Sequence, residues 1–189
     1  MTPSSPPWYA TAFDQSYLAL YAHRDQRDAR RAFDFLLGEK IVRKGELGLD
    51  LCCGAGRHLV ELLAAGMNVV GVDLSPALLA SAQRNLAEDR LKSLLVRGSM
   101  DHLPFKSRFD YVINLFTSFG YFELDTDNER VLQNVSQALR PRGRFLIDFL
   151  NESFIRATLK RQSVERTPQG QSVHVRRSIE GASPRVVKR

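Results

Sequence analysis

The sequence predicts an α/β domain with a doubly wound parallel sheet, a helical cap before it and a β-hairpin after it. Three observations predict this. Short apolar runs alternate with amphipathic stretches from residue 45 to residue 150. The runs are apolar throughout, not at every second position, as in parallel strands covered on both faces. The first run also meets a glycine turn, Gly54-Ala55-Gly56, just before a helical stretch. Right-handed crossovers between parallel strands then place helices on both faces.

The elements follow in order. Pro3, Ser4, Ser5, Pro6 and Pro7 mark residues 1–12 as a disordered leader. Residues 13–38 read as the helical cap. Phe13, Tyr17, Leu20 and Tyr21, then Phe33, Leu36 and Leu37, recur at helical spacing, and Gly38 offers a C-cap. The polar stretch 23–28 can divide it into two helices. Residues 47–51 form the first strand. Residues 58–65 follow as a helix with Leu59, Leu62 and Leu63 on one face, ended by Gly66. Residues 69–72 are the second strand. Ser75-Pro76 starts a helix running to Glu88, with Ser as N-cap and Pro at the first helical position. Residues 94–97 and 109–115 are strands three and four. Thr126 and Glu129 have capping-box spacing ahead of a helix presenting Val131, Leu132, Val135, Ala138 and Leu139. Residues 141–143 turn into a fifth strand, 144–150. In residues 151–189, Val173, Val175 and Ile179 alternate with His174 and Arg176, residues 180–184 can turn, and 185–187 can return as a hairpin.

Composition bounds the function. A chain of 189 residues with 43% apolar content supports one core, assigned here to residues 13–150, with 151–189 as a basic C-terminal segment. No apolar run nears the roughly 18 residues of a membrane span. The N-terminus lacks a basic start followed by an apolar stretch, so no secretory signal is expected. Cys52 and Cys53 are adjacent, which suits neither a disulfide nor a zinc site, and a reduced, cytoplasmic compartment is expected. The net charge of +6 lies entirely in residues 151–189, which hold nine Lys/Arg against three Asp/Glu. The folded part is balanced. That argues against nucleic acid as a partner and for a solvated basic tail.

Four stretches carry chemistry. In 49–58, LDLCCGAGRH, Gly54 and Gly56 let the backbone approach a ligand at the carboxyl end of the first strand. Leu59 stands where a dinucleotide site wants its third glycine, and Asp50 disfavours phosphate while suiting a cationic group. Asp73 ends the second strand 17 residues after Gly56, where a carboxylate can accept both hydroxyls of a ribose. After the third strand, the Met100 N–H and the side chains of Ser99 or Asp101 can meet a base edge. After the fourth, Phe116, Phe119, Tyr121 and Phe122 either floor a substrate site or pack the core.

These residues, together with YLALYAHRD (17–25), GVDLS (71–75), GSMDHLPF (98–105), FDYVINLFTSFGYF (109–122) and LRPRGRFLIDFLN (139–151), resemble the class I S-adenosylmethionine-dependent methyltransferases. The small bacterial members with an N-terminal helical cap are the most similar. The resemblance implies a Rossmann-like fold with S-adenosylmethionine as cofactor, S-adenosylhomocysteine as product and no metal. It places Asp50, Cys52, Gly54 and Gly56 around the methionine part and Asp73 with Leu74 at the ribose. Ser99, Met100 and Asp101 would lie by the adenine and Leu115 beside the cofactor, while Tyr17 and Tyr21 would close over it. Phe116, Phe119 and Tyr121 would face a small-molecule acceptor.

Three departures stand out. Cys52 replaces the first glycine of the usual G-x-G. Ser99 replaces an acidic residue, a role open to Asp101. The sequence also stops before the antiparallel strand pair that normally completes a seven-strand sheet. The fifth strand is therefore expected to be an exposed edge unless the hairpin or a second copy covers it, so a homodimer is possible. The implied function is methyl transfer to a small molecule. The alternative is a truncated, non-catalytic relative that binds cofactor or a partner chain. His58, His102 and Tyr121 are candidate bases by position only, and no catalytic residue is assigned.

Overall fold

The computed structural model describes residues 6–20, 26–167, 170–181 and 185–188. Tyr21, expected over the cofactor, lies outside them.

Five parallel strands make the main sheet. They are β1 (Leu47–Leu51), β2 (Asn68–Asp73), β3 (Leu95–Arg97), β4 (Phe109–Asn114) and β5 (Leu139–Ile147), in spatial order β3-β2-β1-β4-β5. The chain winds outward from β1 toward β3, then returns to the other side through β4. The switch point therefore lies between β1 and β4, where sheets of this kind open a crevice at their carboxyl ends.

One face of the sheet carries α3 (Gln26–Gly38), α4 (Arg57–Ala64) and α5 (Pro76–Glu88), and the other carries α6 (Asp125–Ala138). Phe33, Leu36, Leu59 and Leu62 pack on Tyr111 and Ile113 on the first face. Val131, Val135 and Ala138 pack on Leu49, Leu51 and Val112 on the second. At the centre Gly48 is required, because a Cβ there would sit 2.1 Å from the fully buried Tyr111 ring.

The helix ends show where local signals hold. Ser75 caps α5, its Oγ accepting the Leu78 N–H at 3.1 Å, with Pro76 at the first helical position as expected. Gly66 ends α4 with a left-handed φ of 79°, also as expected. Two expectations fail. Gly38 stays helical, and Lys40 takes the left-handed position (φ 56°), because the Ile41 and Lys40 N–H groups close back on Leu36 and Leu37. Thr126 does not cap α6. The N-cap is Leu124, without a side-chain hydrogen bond, and Thr126 already lies in the first turn, where Asp125 and Asp127 complement the helix dipole. Leu37 and Leu132, expected on apolar faces, are exposed.

Three segments differ from expectation. Within residues 1–12, Trp8–Thr11 forms a helical turn, α1, because Trp8 and Tyr9 pack against Tyr121 and Phe122. The turn expected at 141–143 lies inside β5, as a register irregularity with Arg142 at φ 67°. After α7 (Glu152–Thr158), three antiparallel strands form instead of two: β6 (Gln162–Arg166), β7 (Ser172–Glu180) and β8 (Arg185–Lys188). The expected hairpin is β7–β8. β6 joins it through Arg177, which donates to Glu165 at 2.7 Å and Ser163 at 2.8 Å. This small sheet is separate from the main one, and β5 pairs only with β4 among the described residues. Pro141 and the arginines at 140, 142 and 144 blunt that edge.

Candidate functional site

A cavity of about 430 Å³ opens at the carboxyl ends of β1, β2 and β4, roofed by α1 and α2 (Gln15–Leu20). Its size falls in the usual range for small-molecule sites, on the order of 300–1,000 Å³. Ten of the sequence-expected residues line it: Tyr17, Cys52, Gly54, Asp73, Leu74, Ser99, Met100, Leu115, Phe116 and Tyr121.

Asp73 is the best-defined group. It ends β2 and is buried. One carboxylate oxygen accepts the Gly54 N–H at 2.8 Å and the other accepts the Ser75 N–H at 2.8 Å. The Leu74 N–H bonds to the carboxylate as well, so of its roughly four acceptor sites at least one remains. Burial raises its pKa, and the backbone N–H groups oppose that. The same residue therefore shapes the glycine loop and presents its carboxylate to the cavity. The loop is held further by the Asn85 amide, which donates to the Ala55 carbonyl at 2.9 Å, and by the Cys53 N–H on the Val72 carbonyl at 3.0 Å.

Asp50, Gly56, Asp101 and Phe119 lie outside the cavity wall. Strand alternation explains Asp50. Leu49 and Leu51 face α6, so Asp50 shares the opposite face with its register partner Ile113. It is 1% exposed, beneath the glycine loop, and its Oδ2 has no hydrogen-bond partner. Burial first, then the Asp73 carboxylate, push its pKa up to about 7 against the pull of Arg57. Gly56 faces Ala82 on α5, where an added Cβ would come within 3.0 Å. Asp101 turns back to accept from Ser99 and to meet His102 Nδ1 at 3.0 Å. Burial works to raise its pKa, but those hydrogen bonds prevail and hold it below the ordinary value. Phe119 packs edge-on against Phe149, their centroids 6.3 Å apart.

The roof is aromatic. Phe13 stacks on Tyr121 at 5.7 Å and meets Tyr17 edge-on at 5.0 Å. The Ser75 hydroxyl donates to the Phe13 carbonyl at 2.5 Å, which ties the roof to the tip of β2. On the β4 flank, Phe116 and Thr117 both take left-handed backbone, φ 68° and 59°. Phe116 donates its N–H to the Asp148 carboxylate at 3.0 Å, and the Arg57 guanidinium lies 4.2 Å above its ring.

Sequence reasoning missed Arg57, Tyr9 and Phe13 as wall residues, whereas His58, a candidate base by position, does line the wall. For Arg57 a signal existed, since it directly follows Gly56. For Tyr9 and Phe13 none did, since they meet Phe122 and Tyr121 only through long-range packing. His58 is buried, and burial with the neighbouring Arg57 cation drives its pKa down to about 3, so it is neutral. The cavity therefore holds one buried carboxylate, one guanidinium and no ionised histidine at neutral pH. No three His, Cys, Asp or Glu residues among those described are placed to hold a metal, and no described helix is long and apolar enough to cross a membrane.

A crevice at the switch point, a glycine loop below it and an acidic strand tip beside it define a nucleoside-binding α/β protein. The chain belongs to the methyltransferase domain family, whose model matches residues 49–143. It is 31% identical over 125 residues to a glycine/sarcosine N-methyltransferase of Halorhodospira halochloris, an alignment covering 65% of this chain and 47% of that protein. It is 27% identical over 169 residues to the mRNA cap guanine-N(7) methyltransferase of Candida glabrata, covering 78% of this chain and 40% of that protein. It thus spans less than half the length of either. Among solved structures, the SAM-bound amino pentose methyltransferase of Micromonospora echinaspora superposes with a TM-score of 0.65 at 24% identity, covering 93% of this chain and 80% of that one. The fold is that of the S-adenosylmethionine-dependent methyltransferases.

Proposed function

We propose that this protein binds S-adenosylmethionine in the cavity above β1 and transfers its methyl group to a small-molecule acceptor. The observation that carries the reading is Asp73, a buried carboxylate at the cavity wall with acceptor capacity left over, beside a glycine loop that it holds itself. A ribose hydroxyl fits that remaining acceptor capacity. Met100 and Ser99 lie toward β3, where the adenine would sit, and Gly54, Cys52 and Leu115 lie toward the methionine end. Residues 13–150, with Tyr9 from α1 added to the wall, form the binding unit, and 151–189 a basic segment apart from it.

Bound S-adenosylmethionine supplies an activated methyl carbon on a sulfonium. The chain's own residues then have to align the acceptor and exclude water. Phe13, Tyr121 and Tyr17 close the roof with rings in mutual contact. Neutral His58 can accept a hydrogen bond but is a weak base. The site therefore suits an acceptor that attacks with a lone pair already available. The aromatic roof and the charge balance of residues 1–150 favour a small molecule over a polymer. A second reading, a nucleic-acid base as acceptor, draws on the longer alignment with the cap methyltransferase.

Calorimetric titration tests the core of this. S-adenosylhomocysteine is expected to bind and NAD to give no heat. Binding of NAD alone would overturn the reading. Cofactor binding with no acceptor methylated, by this form or a C-terminally extended one, would leave a binding protein in place of an enzyme.

A further inference from the structure

The charges of residues 1–150 sum to zero, but they are not evenly placed. The strands of the main sheet begin at the end opposite the cavity, and three neighbours, β1, β4 and β5, start there side by side. The segments at their starts, 39–46, 106–110 and 140–144, hold eight Lys/Arg against three Asp/Glu. They are tied into one surface. The Leu47 N–H and the Arg140 guanidinium both donate to the Asp110 carboxylate at 2.8 Å, and Arg144 donates to the Ile41 carbonyl at 2.9 Å. Asp110 is thereby taken by Arg140, and Glu46 by Arg144. Lys40, Arg43, Lys44, Lys106, Arg108 and Arg142 are left over, all of them exposed. Their side chains make no hydrogen bond or ion pair among the described residues. Within the three segments only Glu39 remains to offset them.

Two ordinary reasons for such charges fall short. Helices α3 to α6 end at this foot of the sheet, but none carries a base in its last turn, so these cations are not there to complement helix dipoles. Blunting the β5 edge accounts for Arg142 but not for the loops before β1 and β4. Arg142 also keeps its side chain at φ 67°, a conformation that glycine takes more easily.

We propose that the foot of the sheet is a docking surface for the phosphate backbone of a double-stranded nucleic acid, gripped by these six cations. A duplex carries one charge about every 1.7 Å of its axis, so a face three strands wide meets several phosphates at once. The composition of the face selects this partner. No aromatic ring is exposed in the three segments, and single strands are held largely by stacking on such rings. None of the large apolar side chains exposed on the described surface belongs to these segments, and an interfacial membrane site needs an apolar face. The docked duplex lies at the far end of the sheet from the cavity, so it anchors the protein and is not the methyl acceptor. The zero sum over residues 1–150 conceals this surface, because the compensating carboxylates stand elsewhere.

The test is fluorescence anisotropy of the full chain with labelled 20-base-pair DNA and RNA duplexes of arbitrary sequence, between 50 and 200 mM salt. Six phosphate contacts predict a slope of about −5 in log affinity against log salt, or a loss of about 1,000-fold across that range. The variant Arg43→Gln/Lys44→Gln/Lys106→Gln/Arg108→Gln is expected to bring the slope to about −2 and to weaken binding at least 10-fold at 50 mM salt. Because residues 151–189 are basic as well, Arg161→Gln/Arg166→Gln/Arg176→Gln serves as the comparison, and it is expected to keep most of the slope. Thermal unfolding checks that both variants are folded. The duplex that binds more tightly, DNA or RNA, identifies the source of the phosphates. A slope lost in the second variant and kept in the first would overturn the proposal. So would equal affinity for the matching single strand, or binding to phosphatidylserine vesicles but to neither duplex.

Discussion

The two flanks of the cavity are built in opposite ways. On the β2 flank, Asp73, Leu74 and Ser75 have ordinary backbone, and Asp73 is locked by the Gly54 and Ser75 N–H groups 2.8 Å away. The flank is a strand tip running into a capped helix. On the β4 flank, Phe116 and Thr117 are both left-handed, and the loop depends on Asp148, the residue after β5, which accepts the Thr117 N–H on its carbonyl at 3.2 Å and the Phe116 N–H on its carboxylate. The first flank is made from its own sequence neighbours. The second is held in a costly conformation by a residue more than thirty positions away. Backbone strain of this kind persists where the surrounding structure over-determines it, and it gathers at functional sites. In the proposed binding mode the ribose would lie on the unstrained flank and the reacting end on the strained one.

That contrast can be sharpened, and the largest expected effect belongs to Asp50, beneath both flanks. Its pKa is raised from 3.8 to about 7, so the folded state holds a proton that the unfolded state has released. Stability is then fully present below pH ~4 and declines by about 1.4 kcal/mol per pH unit until pH ~7. Asp50→Asn is expected to flatten that decline and to be the more stable protein above pH 7, by a few kcal/mol at most. Denaturant unfolding of both proteins from pH 4 to pH 8 checks it. Parallel curves would show that Asp50 is ionised throughout.

Next in size is Ser75→Ala, on the β2 flank. It removes the α5 cap and the tie to Phe13, and is expected to cost about 1–2 kcal/mol. Hydrogen exchange in residues 13–20 should rise as well, because the roof loses its anchor. Exchange faster only within α5 would mean that the tie to the roof is weak.

The smallest effect is on the β4 flank. Thr117→Gly relieves a β-branched residue at φ 59° and is expected to stabilise the protein by about 1 kcal/mol or less, net of the added chain entropy. Leu74→Gly on the other flank has no strain to relieve and is expected to destabilise. Thermal unfolding separates the two. Destabilisation by both would erase the difference between the flanks.

The same contrast explains what could be read in advance. The order of strands and helices from 47 to 139, Asp73 at its strand tip and the Ser75-Pro76 start are local patterns, and they stand where the sequence puts them. Cys52, Gly54, Met100 and Leu115 follow from being next to those tips. Asp50 was placed in the site from the same pattern, but the strand's two-residue alternation buries it behind the loop. The rest needed long-range information. α1 folds only because Trp8 and Tyr9 find Tyr121 and Phe122, more than a hundred residues on. β6 has little apolar alternation and is recruited by β7, through pairs such as Glu165 with Arg177. The left-handed pair at Phe116 and Thr117 has no glycine to announce it.

The most direct measurement is the affinity of S-adenosylhomocysteine for wild type and for Asp73→Ala, made by calorimetry at neutral pH on protein shown by thermal unfolding to be folded. Loss of hydrogen bonding to a charged acceptor predicts a drop of about 10-fold or more. Undiminished affinity in a folded Asp73→Ala protein would contradict the account.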